Sequence, residues 1–134
     1  MLASISMNNS ISWYSLDNNL AIVERGAVPK DGAFRIIDDY FAGLKSHYES
    51  GEEAIASTVF GFQKSQSEFI EIGVDSVTDI AFKYEVSIPR KIVFFNMPRI
   101  IQKERRLRSK EDLKAMVSAF YDLDSDSYLA HASV

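Results

Sequence analysis

The chain has 134 residues, of which 46% are hydrophobic and 25% charged, with a net charge of −4, as expected of one folded domain rather than a disordered chain. It contains no cysteine, which excludes a disulfide framework, a cysteine nucleophile and a thiolate zinc site. Charge is unevenly spread: residues 1–98 carry −5, residues 111–134 carry −4, and between them Arg99, Lys103, Arg105, Arg106, Arg108 and Lys110 stand against Glu104 alone.

Residues 1–9 read as a flexible N-terminus, with Met1 or Met7 as the start; Met1 to Ile11 has neither the basic nor the apolar region of a secretory signal. From residue 10 to 134 the pattern is that of a single α+β domain. Ile11–Leu16 alternates as a strand, Asp17-Asn18-Asn19 supplies turn chemistry, and Leu20–Arg25 reads as the return strand, closed by Gly26 and Pro29. Asp31 is placed to cap a helix whose stripe is Phe34, Ile37, Phe41, Leu44 and Tyr48, ended by Ser50-Gly51. Gly43 within it reads as a tolerated glycine in preference to a close helix contact. Four strands follow: Ala54–Gln63, Glu68–Val74, Asp79–Ile88 and Lys91–Phe95, the last bounded by Pro89 and Pro98. Ile100–Leu107 fits a charged edge strand or an irregular crossover. Ser109 and Asp112 resemble a capping box, and Leu113, Met116, Val117 and Phe120 form the stripe of a second helix. Tyr128–Val134 adds a last turn or frays. The expectation is a mostly antiparallel sheet of five to six strands with two main helices packed on one face.

Few residues carry recognisable chemistry. Asp122, Asp124 and Asp126 have the first offsets of a calcium loop, but Ser127 stands where the sharp-turn glycine belongs and Ser133 where the bidentate glutamate belongs. An acidic loop ending the helix is the better reading. His47 and His131 lack a partner at helical ligand spacing. Asp38-Asp39 and Glu52-Glu53 are doublets whose neighbours point in different directions on a helix, so they read as a solvated face rather than an acid–base pair. The glycines form no phosphate-cradling loop. With no assembled nucleophile, metal site or cofactor motif, the chain is expected not to be an enzyme and to need no cofactor. The 99–110 basic cluster hints at nucleic acid, yet lacks interleaved aromatics and sits in an acidic chain. Charges that guard an edge strand account for it equally well.

The strand series LAIVER, TVFGFQ, EFIEIGV, IAFKYEV and IVFF, with the closing helix SKEDLKAMVSAFYDL, resembles small bacterial immunity proteins of contact-dependent growth-inhibition and other polymorphic toxin systems, from about Ser12 to Leu123. The resemblance implies an inhibitor that covers a cognate toxin's active site and catalyses nothing, and the absence of cysteine fits the expected cytoplasmic location. A basic toxin would be steered toward an acidic partner. The acids expected to meet it are Glu71, Asp75, Asp79 and Glu85 on the strand series, a patch interrupted only by Lys83, with the helix around Asp38, Asp39, Glu49, Glu52 and Glu53 as the other acidic surface. The alternative readings are a type III secretion chaperone, an enzyme of unrecognised family, and a nucleic-acid-binding protein using the 99–110 cluster. No segment is apolar enough to span a bilayer, so a membrane is not expected as a partner.

Overall fold

A computed structural model describes the backbone of residues 10–16, 19, 21–50, 59–92 and 95–132, and the side chains of these except 44–50 and 88–98. The expected flexible stretch 1–9, the strand start at 54–58 and the doublet Glu52-Glu53 lie outside the described residues. In chain order the elements are β1 (Ser12–Leu16), β2 (Ile22–Ala27), α1 (Lys30–Ser50), β3 (Val59–Ser65), β4 (Glu68–Ser76), β5 (Asp79–Ile92), β6 (Phe95–Leu107), α2 (Lys110–Asp122) and α3 (Ser125–Ala132). The strands form one antiparallel sheet in the order β2-β1-β3-β4-β5-β6. This is the expected α+β class, with a third, short helix where a last turn was the expectation.

Period-two alternation sorts the sheet residues onto two faces. Phe60, Phe62, Ile70, Ile72, Val74, Ile80, Phe82, Tyr84, Val86 and Leu107 are buried, and the register sets them opposite one another on the helix side. Ala33, Ile37 and Phe41 of α1 and Leu113, Met116, Val117 and Phe120 of α2 close the core from above. The two helices run antiparallel, because Lys30 at the start of α1 meets Asp122 at the end of α2, at 2.7 Å, while Asp38 meets Lys110 and Lys114 at 3.2 and 2.8 Å. Tyr128 of α3 is fully buried and sets its ring against Tyr84 and Phe120.

Local rules explain most boundaries. Ser109 Oγ accepts from the Asp112 amide, so α2 has the expected cap. Asp31 is not a cap: α1 starts one residue earlier, with the Ala33 amide bonded to the Pro29 carbonyl, and Asp31 sits in the first turn. Gly26 has φ +100°, and it stands at the bulge where β1 shifts register between Trp13 and Tyr14.

One expected strand is not a separate element. Lys91 and Ile92 end β5, Phe95 opens β6, and the two prolines lie inside strands, paired as Pro89↔Pro98. The register makes this possible. Ser87 donates its N–H to the Ser67 carbonyl on the β4 side, and the Pro89 nitrogen, two residues on, faces the same way but past the β4–β5 pairing, which ends at Glu68↔Val86. The Pro98 nitrogen faces the outer edge. Neither position requires the missing donor.

Candidate functional site

Among the described residues no helix or strand packs on the sheet face away from the helices, and its side chains form rows fixed by strand register. One row is Tyr14, Gly61, Glu71, Lys83 and Glu104; the next is Val59, Gly73, Ala81 and Arg106; on the other side lie Gln63, Phe69, Glu85 and Gln102. Because Gly73 and Ala81 are small, the sheet is open between Val59 on one side and Glu104 and Arg106 on the other. The result is a groove of about 600 Å³ that also touches Glu71, Asp75 and Lys83. The outer end of the Tyr14 ring lies over Gly61, and Tyr14 is only 5% exposed. Its hydroxyl donates toward Glu71 Oε1 at 3.3 Å. Burial, and then the neighbouring Glu71 carboxylate, push its pKa well above the usual tyrosine range.

The four strand-series acids come together on this face. Glu71 lies 3.9 Å from Lys83, whose ammonium also sits 5.6 Å over the Phe69 ring. Glu85 accepts from Gln102 Nε2. Asp75 and Asp79 flank the β4–β5 turn and both accept from Arg106 Nη1, at 2.8 and 3.2 Å. Lys83 is therefore not the sole interruption of the patch. The parity of β6 brings Arg106 to the same face opposite Ala81, and Glu104 opposite Lys83. That parity follows from an unbroken β5–β6 ladder, which the ambiguous reading of Ile100–Leu107 left open. It also sends Lys103 and Arg105 to the helix side, so the basic cluster is divided. Among described side chains, the open face carries Glu24, Glu71, Asp75, Asp79, Glu85 and Glu104 against Lys83 and Arg106.

Asp38 and Asp39 lie apart from these acids, on α1. Asp38 is engaged by Lys114 and then Lys110, whose ammonium groups, paired with its Oδ1, hold its carboxyl below the usual carboxylate range. Asp39 is exposed. The side chains of His47 and Glu49 lie outside the described residues. Asp122 bonds Lys30, and Asp124 Oδ1 accepts from the Ser127 amide at the start of α3, a bond that lowers its pKa. The acidic loop thus joins two helices. His131 is exposed, with its ring 6.0 Å from Tyr128.

A polar cluster that sequence reasoning missed lies on the helix side at the β3–β4 turn. Glu68 accepts from the Tyr84 hydroxyl at 2.8 Å and from Ser125 Oγ at 3.1 Å, with Lys64 Nζ at 3.8 Å. Lys64 donates to the Leu123 carbonyl at 2.7 Å and lies 4.7 Å over the Phe120 ring. Burial lowers its pKa. Lys64, Glu68, Leu123 and Ser125 border a cavity of about 400 Å³ with Ile11, Tyr121 and Asp124. The arrangement stabilises one half-buried carboxylate with two hydroxyls and an ammonium, and ties the α2–α3 junction to the sheet. Its members are scattered from residue 64 to 125, so no spacing in the chain announces them.

Among the described residues no three His, Cys, Asp or Glu side chains converge as a metal site, and no helix is long and apolar enough to cross a membrane. Comparison with protein-family models, with curated proteins and with solved structures finds no match.

Proposed function

We propose that this protein is an immunity-type inhibitor that binds a basic protein toxin and neutralises it by covering it with the open face of the sheet. The observation that carries the reading is the sorting of charge: a sheet sheltered by helices on one side presents on the other, among the described residues, a face with acids in excess. Several of those acids are held by cross-strand partners, so little side-chain freedom is lost when a partner docks. An excess of one sign steers an oppositely charged protein into encounter and makes association depend on salt. Phe69, Val59 and the shallow Gly73–Ala81 floor add apolar area beneath the charges, as a protein interface requires.

The test is the variant Glu71→Lys, Asp75→Lys, Asp79→Lys, Glu85→Lys, co-expressed with a candidate basic toxin domain against which the parent protein protects. Slower association, a shallower salt dependence and lost protection are the expected results, with thermal unfolding followed in parallel. Protection and association rate equal to those of the parent would remove this face from the interaction and leave the α1 acids Asp38 and Asp39 as the surface to test.

A further inference from the structure

The outer edge of β6 is a second open surface, of opposite chemistry. The Ser87 N–H is spent on Ser67, so the Ser87 backbone points away from β6. The β5–β6 register runs from Ile80↔Leu107 to Ile92↔Phe95 without a shift, and the direction of backbone groups alternates along it. Ile101, Lys103 and Arg105 therefore bond to β5. Ile100, Gln102, Glu104 and Arg106 turn their N–H and C=O groups outward, where no further strand lies among the described residues. Pro98, of the same parity, has no N–H, so the row of donors begins at Ile100.

Open N–H and C=O groups in a row are a template for an added strand. The side chains decide which strand can be added. On the helix side this edge carries Arg99, Ile101, Lys103 and Arg105. Among the described residues no acid forms an ion pair with Arg99, Lys103 or Arg105, and Arg105 instead directs Nη1 at Met116 Sδ, 3.7 Å away. A second copy of the chain is a poor occupant. With the two-fold axis centred successively on residues 101 to 105, the directly opposed pairs include Arg99 with Lys103, Arg99 with Arg105, Lys103 with itself, Lys103 with Arg105, and Arg105 with itself. Each is a repulsive like-charge pair.

We infer that the edge Ile100–Arg106 accepts, by strand addition, an extended acidic segment of another protein whose alternate carboxylates face Lys103 and Arg105. This site is separate from the acidic sheet face and stands whether or not that face binds a toxin. The backbone row supplies affinity without regard to sequence, and cations that no described acid neutralises select for acids.

The probe is a capped synthetic peptide alternating valine and glutamate, long enough to span the edge, with an alternating valine–lysine peptide as control. Backbone amide exchange of the whole chain is followed by NMR. The glutamate peptide should slow exchange at Ile100, Gln102, Glu104 and Arg106, leaving Ile101 and Lys103, already bonded, unchanged; the lysine peptide should do neither. Gln102→Pro removes an outward N–H and no backbone bond to β5, though it also loses the Gln102 side-chain bond to Glu85, and should weaken the peptide about tenfold or more. Lys103→Glu leaves the backbone intact and should weaken it as well, which keeps the test sound if the proline variant does not fold. Unchanged exchange at the four amides overturns the inference, as does full affinity in Lys103→Glu. Protection of the same amides by raised protein concentration alone would assign the edge to a second copy, and protection by a single-stranded oligonucleotide in place of the peptide would assign it to nucleic acid. Either result overturns the acidic-strand reading.

Discussion

Gly43 and Gly61 show how differently one residue type is used. A Cβ at Gly43 would meet nothing within 4 Å, on the exposed side of α1. Gly43→Ala should therefore raise stability by about 0.5–1 kcal/mol through helix propensity, read as a higher denaturation midpoint. At Gly61 a Cβ would run into the Tyr14 ring and lie 2.5 Å from the Ile70 carbonyl. A backbone atom cannot swing aside, so Gly61→Ala should cost about 1–3 kcal/mol and expose Tyr14. A gain in stability at Gly61 would mean that the ring does not rest there. Phe120, fully buried against Tyr84 and Tyr128, should lose about 3–5 kcal/mol on truncation to alanine. A loss below about 1 kcal/mol would show that the α2 stripe is not core. The α2 stripe was readable in the sequence because it recurs at helical spacing. The role of Gly61 was not, because the ring that rests on it belongs to a strand distant in the chain.

Between elements, the Asp38 contact with Lys114 and Lys110 clips α1 to α2 and titrates. The two ammonium groups depress the folded-state pKa of Asp38, so its contribution is present above the ordinary carboxylate pKa of about 3.9 and is lost as pH falls through the lower folded value. Urea unfolding followed from about pH 5 down to about pH 2 should show Asp38→Asn losing less stability than the parent across that window. Parallel curves would show that the clip is absent in solution. The elements themselves were largely legible: α1, α2, β4 and most of β5 lie where periodicity puts them. The exceptions have identifiable causes. Prolines usually bound strands, and Pro89 and Pro98 do not, because both nitrogens point where no partner requires a donor. Edge strand β6 lacks a clear apolar alternation because one of its sides carries Lys103 and Arg105 where a central strand would carry core residues.

Across the whole molecule, strand order was the part that the chain did not disclose. The hairpin β1–β2 joins the sheet through β1↔β3, across the whole of α1 and the segment after it, so it closes a long loop before it gains a contact. β4 and β5 have strands on both sides, whereas β2 is a short edge whose residues are mostly exposed. Native-state amide exchange should accordingly be slowest in β4 and β5 and fastest in β2, with β1 between them. Equal protection of β2 and β5 would mean that the sheet opens only as one unit. The placement of the acids on one face follows from this same order, since Glu24 of β2 and Glu104 of β6 share a surface only after every intervening strand is in register.

Trp13 gives the molecule a built-in optical reporter. It is the only tryptophan of the chain, it lies half-buried on β1, and the Arg25 guanidinium stands 5.9 Å from its ring centroid. Its emission thus senses detachment of one hairpin, while far-ultraviolet circular dichroism at the helix bands senses α1 and α2. If the hairpin is the last piece to dock, the two signals will part company during denaturation, with the fluorescence change arriving at lower urea.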